Sequence, residues 1–245
     1  MSEEFLVNFT PQETRVALMQ GGVVQELHIE RSASRGLVGN VYLGRVVRVL
    51  PGMQSAFIDI GLERTAFLHV ADIWGERQNG QGGNGGDGPR PIEKILSEGQ
   101  SLIVQVLKDP IGSKGARLST QISIAGRLLV YLPQDKHIGI SQRIEDAAER
   151  EQLRGKLQQL VPADEAGGFI VRTMAEKAGE EELATDIAYL RKIWAEARNA
   201  ATSARPPALL YEDLTLGQRL LRDLVTPETS RILIDSRENF QKLSA

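Results

Sequence analysis

Three short β-strands are predicted in the segment GNVYLGRVVRVLPGMQSAFIDIGLERTAFLHVADI, residues 39–73. The strands occupy residues 41–50, 55–60 and 65–70, with the turn signals Pro51-Gly52 and Gly61-Leu62 between them. Side chains on a strand alternate between its two faces. The second and third strands therefore each have one aliphatic face, formed by Ala56, Ile58 and Ile60 and by Ala66, Leu68 and Val70.

Phe57 and Phe67 lie on the opposite, polar faces of these two strands, beside Asp59 and His69. The chain has only 6 phenylalanines, so two in matching positions on adjacent strands are informative. An exposed ring beside polar residues can stack on a nucleobase, which contributes about 1–3 kcal/mol per base. Either ring could instead lie beneath the loop that follows or at a domain interface, but the pair favours base stacking.

Two further strands, at residues 101–108 and 117–122, complete a set of five within residues 36–125. Five short strands predict an OB-type barrel, whose central strands bind oligonucleotides. The turn between these two strands, residues 109–115, carries Lys114. The segment GERQNGQGGNGGDGPRP, residues 75–91, is predicted as a flexible loop between the third and fourth strands. It lacks the Lys-Ser/Thr ending and the following helix of a phosphate-binding glycine loop.

Composition excludes several classes of site. The 245 residues carry a net charge of only −3, so any nucleic-acid site must be local rather than a general basic field. There is no cysteine, which excludes disulfides, thiolate metal sites and cysteine nucleophiles. No apolar run approaches the ~18 residues of a membrane span, and the N-terminus MSEEFLVNF has no signal-peptide core. The sequence therefore predicts a cytoplasmic protein with no membrane span.

The two ends of the chain predict one discontinuous α/β domain. Residues 4–9, 13–19 and 23–29 form a strand meander with a hairpin at Gly21-Gly22, and such a meander cannot bury its apolar face alone. A helix at 213–224 and a strand at 231–235 supply the missing partners. We therefore assign residues 1–35 and 206–245 to one outer domain, with everything between as an insertion.

Residues 126–205 predict a small α/β domain. Strands are expected at 130–133 and 168–173, and helices at 145–160 and 180–201. In the second helix Leu183, Ile187, Leu190 and Trp194 recur at helical spacing, which indicates a core-facing stripe. The whole chain is thus predicted as an α+β, multi-domain protein.

The segments GNVYLGRVVRVLPGMQSAFIDIG and KDPIGSKGARLST resemble the S-one-type RNA-binding domain of the bacterial ribonuclease E/G family, and the resemblance extends over essentially the whole chain. It implies an S-one-type OB-fold at 36–125 and a 5′-phosphate sensor domain at 126–205. Both would be inserted into an outer domain, 1–35 and 206–245, similar to ribonuclease H. That outer domain is expected to be incomplete, because the sequence stops in what looks like the start of a helix.

The resemblance also assigns binding roles to particular residues. It implies that Phe57 and Phe67 stack on RNA bases and that Lys114 binds a phosphate. The pocket that reads the 5′-monophosphate end would comprise Gly126, Val130, Arg172 and Thr173.

Arg172 and Thr173 also suit a terminal phosphate on chemical grounds, since a guanidinium fork and a hydroxyl are good phosphate donors. The alternative is that Arg172 pairs with Glu176 or Glu180. Arg143 is carried over from the family pattern as well. Gln142 stands where family members can have a second arginine, which weakens that assignment.

The family implies a magnesium-dependent, single-strand-specific endoribonuclease, a hydrolase that acts in RNA processing and decay, including rRNA maturation and mRNA turnover. Its expected partner is single-stranded RNA, preferably 5′-monophosphorylated, and the parent enzyme is expected to be a homo-oligomer. The catalytic aspartates, and with them the magnesium, belong to a domain beyond residue 245, so no catalytic or metal residue and no cofactor is expected in this chain.

Two other functions are consistent with the sequence. One is a stand-alone, non-catalytic RNA-binding regulatory module, which the length of the natural reading frame would distinguish. The other is catalysis in the outer domain, where Asp235 ends a strand as a ribonuclease H carboxylate does. The first strand offers no acidic partner for it in its interior.

Overall fold

The computed structural model describes residues 2–75, 90–162 and 165–244. Most of the Gly-rich segment predicted as a loop lies outside these residues. The chain divides into two units, one formed by Met1–Gly36 with Leu214–Ala245 and the other by Leu37–Asp213. Within the described residues no helix is long and apolar enough to cross a lipid bilayer.

The first unit is built on a four-stranded sheet of β1 (Glu3–Phe9), β2 (Glu13–Gln20), β3 (Val23–Arg31) and β14 (Thr229–Ile234). Their order is β14-β1-β2-β3, and only the β14–β1 pair is parallel. The predicted β2–β3 hairpin is confirmed. Gly21 and Gly22 both have positive φ, the conformation that a two-residue hairpin turn requires.

One face of this sheet is covered by the chain's C-terminal segment. Helix α3 (Leu216–Arg219) begins at a Thr215 cap and continues as a π-helical stretch, Leu220–Leu224. The buried side chains of the unit are Phe5, Val7, Val16, Leu216 and Leu220. Helix α4 (Arg237–Ser244) follows β14 and starts earlier than the sequence indicates. The ribonuclease H-like character of this unit stays a prediction.

A closed five-stranded barrel forms the first part of the second unit. Its strands are β4 (Val41–Leu50), β5 (Ser55–Asp59), β6 (Ala66–His69), β7 (Ser101–Lys108) and β8 (Arg117–Ser119). The pairing runs β4-β5-β6-β8-β7, and β7 pairs back with β4. This closure agrees with an OB-like fold.

The barrel core follows the alternation in the sequence. The six residues predicted to form the aliphatic faces are all buried. They are Ala56, Ile58 and Ile60 in and just after β5, and Ala66, Leu68 and Val70 in and just after β6. A short extra strand, β13 (Ala208–Tyr211), pairs with β4. Residues 206–213, which the sequence predicts as part of the outer domain, therefore belong to the second unit. The division into three domains otherwise stays a prediction.

The second part of this unit is a four-stranded sheet with two helices. The strands are β9 (Ile124–Ala125), β10 (Leu129–Leu132), β11 (Ile138–Ile140) and β12 (Gly168–Val171), in the order β11-β12-β10-β9. Helices α1 (Ala147–Leu160) and α2 (Glu180–Ser203) bury Leu153, Leu157, Leu183, Ile187 and Leu190 in the same core. Asp146 caps α1 by accepting from two main-chain amides, which fixes where the helix begins.

Candidate nucleic-acid interface

The two phenylalanines predicted to stack on bases lie side by side on the outside of the barrel. Phe57 in β5 pairs directly with Phe67 in β6. The ring centroids are 6.4 Å apart with an interplanar angle of 64°, an edge-to-face contact. Both side chains are half-buried, whereas Ile58 and Leu68 beside them are fully buried. The pair is therefore a surface feature built on a rigid core, and its binding role stays a prediction.

Lys114 lies in a turn that is fastened to the same part of the barrel. Gly115 approaches the main chain of Thr65 so closely that a Cβ there would lie 1.9 Å from its carbonyl oxygen. The Phe67 amide donates to the Ala116 carbonyl at 2.7 Å. The Lys114 side chain is exposed. The glycine is required by this close approach, which holds the lysine near the edge of the phenylalanine pair.

Two arginines to which the sequence pattern gave no role flank the phenylalanines. Arg48 in β4 pairs with Phe57, and Arg117 in β8 pairs with Phe67. Arg117 is bound to the buried carboxylate of Asp72. The register of β4 could not be derived from the sequence, because a bulge between Val46 and Arg48 shifts its alternation.

Three chain segments meet where the strands end on one side of the four-stranded sheet β11-β12-β10-β9. Strands β11 and β12 are parallel and paired up to Ile140 and Val171, so both end at the same level. The Ser141 amide donates to the Val171 carbonyl, and the Arg172 amide donates to the Leu128 carbonyl, both at 2.8 Å. Residues 126–128, 141–143 and 172–173 are thereby brought together. We call this region the loop edge.

The loop edge contains four of the five residues predicted to read the RNA 5′ end. Arg172 Nη1 donates to the Gly126 carbonyl and, at 3.5 Å, to the Arg127 carbonyl. Thr173 follows directly and opens a short 3-10 turn. Arg143 is exposed, and its amide donates to the Ser141 hydroxyl at 3.3 Å. The guanidinium is thus held against the turn that precedes β10.

The fifth residue, Val130, lies one step inside the sheet. It pairs with Ala125 on one side and Ile170 on the other, and all three are half-buried. Leu129 and Val171 point to the opposite face, into the core. Arg172 follows the end of β12 directly and keeps an extended backbone, two residues after Ile170, so Val130 faces the same side as the guanidinium.

Asp186 determines the shape of the turn at residues 126–129. This carboxylate, on α2, is buried and accepts from the amides of Leu129 at 2.8 Å, Leu128 at 3.0 Å and Arg127 at 3.3 Å. A Cβ on Gly126 would lie 2.6 Å from one of its oxygens. Position 126 therefore has no room for a side chain, whatever ligand the turn meets.

The sequence did contain a signal for Asp186. It is three residues after Leu183 and four before Leu190, so it lies on the apolar stripe of α2. A carboxylate on a core-facing stripe needs hydrogen-bond donors nearby. The amides of an adjacent turn are natural donors, so this residue could have been identified as structural.

The described residues do not fit a magnesium site. Among residues 2–75, 90–162 and 165–244, no three or more histidine, aspartate or glutamate side chains are grouped so that they could hold a metal ion. Asp235, the candidate ribonuclease H-like carboxylate, accepts from the Asn8 amide group and from the Phe9 main-chain amide. These contacts join β14 to β1 and account for an aspartate at this strand end.

Sequence comparison identifies the protein class. The model of the Ribonuclease E/G family matches residues 123–245, half of the chain. The chain belongs to the ribonuclease E/G family, as its sequence predicts.

Individual relatives place it within that family. It is 49% identical to ribonuclease G of Escherichia coli strain K12 over 244 residues, 99% of this chain and 50% of the relative. It is 46% identical to ribonuclease G of Haemophilus influenzae, and 35% identical to ribonuclease E of Nostoc sp. over 95% of this chain and 32% of the relative. Ribonuclease G sequences are thus more similar than this ribonuclease E, as the quoted segments indicate. The chain spans about half the length of the ribonuclease G relatives.

Proposed function

We propose that this chain is the RNA-binding and 5′-monophosphate-sensing region of a single-strand-specific endoribonuclease. The barrel binds the body of the RNA strand through Phe57, Phe67 and Lys114. The loop edge binds the phosphate at its 5′ end. The observation that carries the proposal is the convergence of Gly126 with Arg172, 46 positions further along the chain, and with Thr173, which follows that arginine, at the loop edge.

Base stacking on the barrel is supported by the partial exposure of two rings, neither of which belongs to the barrel core. A stacked base contributes about 1–3 kcal/mol whatever its identity, because every base has a π-face. Lys114 adds a single charge that meets a phosphate. Such a site is expected to bind single-stranded RNA of many sequences.

Phosphate sensing at the loop edge is supported by the donors that meet there. A terminal monophosphate carries more charge and more free oxygens than a bridging phosphate. A guanidinium binds it through two parallel N–H bonds, and the Thr173 hydroxyl adds a third donor. Gly126 and Val130 would form the wall of the pocket, so a triphosphate is expected to be rejected by its size.

The test is affinity for short single-stranded RNAs that differ only at the 5′ end. Fluorescence anisotropy with a 3′-labelled RNA gives the dissociation constants for the monophosphate, hydroxyl and triphosphate forms. We expect the monophosphate to bind about tenfold or more tightly than the other two, as one charge-assisted hydrogen bond would allow. Equal affinity for all three, in this chain and in a longer natural protein, would remove the sensing function.

Hydrolysis is proposed for the whole protein and not for these residues. The family resemblance supports a magnesium-dependent endoribonuclease, acting as a homo-oligomer in RNA processing and decay. Magnesium bound by clustered carboxylates would activate the attacking water. The described residues offer no such cluster, so no step of the reaction is assigned to them.

A cleavage assay tests whether these residues can hydrolyse RNA by themselves. The 245-residue chain is incubated with magnesium and a 5′-monophosphorylated single-stranded RNA. We expect no turnover. Cleavage that disappears in Asp235→Asn would contradict the proposal and assign catalysis to the first unit.

A further inference from the structure

The phenylalanine pair is the middle of a longer row across the barrel. Neighbouring strands place Arg48 opposite Phe57, Phe57 opposite Phe67, and Phe67 opposite Arg117. Residues directly opposite on paired strands point to the same face. Strands lie about 4.8 Å apart, so the four positions span about 14 Å. The row has an arginine at each end and two rings between.

Arg117 is held in place by a buried acid. Its Nε donates to Asp72 Oδ2 at 2.9 Å, and its Nη2 lies 2.8 Å from the same oxygen in an ion pair. The Asp72 side chain is 6% exposed and that of Arg117 is 43% exposed. Within residues 2–75, 90–162 and 165–244, Nη1 of Arg117 has no partner. One side of the guanidinium is therefore fixed, and the other is open to solvent.

The Asp72 main chain is fixed as well. Its carbonyl accepts from the Ser119 hydroxyl at 2.9 Å and from the Thr120 amide at 3.0 Å. Both donors lie at the end of the strand that carries Arg117. The pair therefore forms one rigid unit beside Phe67. Because the guanidinium is already ordered, it loses little conformational freedom when it binds a ligand.

Arg48 at the other end has a different environment. Its side chain is exposed, and it makes no hydrogen bond or ion pair with any residue that the structure describes. It follows the β4 bulge, which directs Val47 and Arg48 outward. Arg48 is thus an exposed cation next to Phe57 with no partner among the described residues, whereas Arg117 is a cation fixed by Asp72 next to Phe67.

We propose that Arg48 and Arg117 bind the RNA backbone on either side of the bases stacked on Phe57 and Phe67, and that Asp72 is a positioning residue for Arg117. The inference rests on the proposed RNA binding by the barrel. Arginine suits this position because its plane both pairs with phosphate and stacks on bases. The row is about 14 Å long, which is short enough to contact part of the stretch of roughly 4–16 nucleotides that one OB fold covers.

The experiment uses the 245-residue chain and a 5′-hydroxyl single-stranded RNA, so that the loop edge contributes no terminal-phosphate contact. Affinity is measured across a salt series for Arg48→Gln and Arg117→Gln. Each is expected to weaken binding about tenfold and to lower the slope of log affinity against log salt by about 0.7. Arg198→Gln, at an exposed position on α2, makes the same charge change and is expected to alter neither.

Asp72 gives a sharper result because electrostatics alone predicts the opposite sign. Asp72→Asn makes the chain more positive, so it would strengthen RNA binding if the acid only neutralised Arg117. We expect it to weaken binding, because the guanidinium is released, and Asp72→Glu to restore part of the affinity. The double variant Asp72→Asn with Arg117→Gln is expected to bind like Arg117→Gln alone, since Asp72 acts through the arginine. Arg117→Gln alone leaves the buried Asp72 carboxylate unpaired, whereas the double variant leaves no unpaired buried charge, so the double variant tests the inference even if Arg117→Gln fails to fold.

The outcomes separate this inference from the proposed function. If the unaltered chain does not bind the RNA, or if Phe57→Ala and Phe67→Ala bind normally, barrel binding itself is wrong. If the phenylalanine variants weaken binding while both arginine variants match Arg198→Gln, only the four-residue row is overturned. Tighter binding by Asp72→Asn would overturn the positioning role.

Discussion

The barrel face and the loop edge are built in different ways. On the barrel, Phe57 and Phe67 are side chains on paired strands, and a closed core beneath them fixes their positions. At the loop edge, the main chain itself is shaped, because the buried carboxylate of Asp186 holds the amides of residues 127–129. The first site can lose a side chain and keep its framework. The second depends on one buried group.

This difference matches the two tasks proposed for them. A stacking face that accepts any base needs only exposed rings, and small shifts in their positions cost little. Discrimination between a monophosphate and a hydroxyl needs donors fixed in relation to one another. We therefore expect substitutions on the barrel to change affinity alone, and substitutions behind the loop edge to change stability and 5′ discrimination together.

The largest expected effect is that of Asp186→Ala. It leaves three main-chain amides without their acceptor, and each unsatisfied buried donor costs about 1–3 kcal/mol. We expect the free energy of unfolding in urea to fall by about 3 kcal/mol or more, and the preference for 5′-monophosphate RNA to disappear. Asp186→Asn retains one acceptor oxygen and is expected to lose less stability.

The same variant tests the comparison between the two regions. Under conditions where Asp186→Ala remains folded, its affinity for 5′-hydroxyl RNA is expected to stay normal, because the barrel core does not include Asp186. Equal losses for the hydroxyl and monophosphate RNAs would show that the two regions do not act separately.

The contrast also explains which parts could be predicted from sequence. The barrel strands and the outward direction of Phe57 and Phe67 follow from two-residue alternation, a local property. The two long helices follow from their apolar stripes. The contact between Arg172 and Gly126 does not follow from a local pattern. It depends on the register between strands, and the two residues are 46 positions apart in the chain.

Short elements were missed for a related reason. Strands β9, β11 and β13 have only two to four residues, too few to show a period. β13 exists because β4 offers it a partner, and its own sequence follows two prolines that indicate a linker. Resemblance to the family supplied Gly126 and Arg172 as site residues, and the structure gave the physical reason for the glycine.

Arg172→Ala should remove 5′ discrimination while leaving the barrel intact. A charge-assisted hydrogen bond contributes about 1.5–3 kcal/mol, so the loss of one is worth about tenfold or more in affinity. We expect monophosphate and hydroxyl RNAs to bind equally to this variant, at the level that the unaltered chain shows for the hydroxyl form. Binding curves with both RNAs measure this directly. A preserved preference would mean that another donor reads the phosphate.

Phe57→Ala and Phe67→Ala should show the reverse pattern. Each is expected to weaken binding of both RNAs by about 1–3 kcal/mol if a base stacks on the ring. A fully buried phenylalanine would instead cost roughly 3–5 kcal/mol of stability on truncation. Thermal melts beside binding curves separate the two cases. Phe169→Ala, at a fully buried position, provides the matched control for the stability effect.

Lys114→Ala is expected to have the smallest effect and the most general one. The lysine is exposed on a turn that Gly115 fastens to the barrel, so its removal leaves the framework unchanged. In its proposed role Lys114 binds a backbone phosphate, which every RNA strand has, so its loss should weaken binding of monophosphate and hydroxyl RNAs by the same factor. The slope of log affinity against log salt should fall by about 0.7, the value for one phosphate contact on a single strand. A loss of affinity confined to the monophosphate RNA would assign Lys114 to the 5′ end. The barrel, proposed to bind any strand, and the loop edge, proposed to read its terminus, would then not have separate roles.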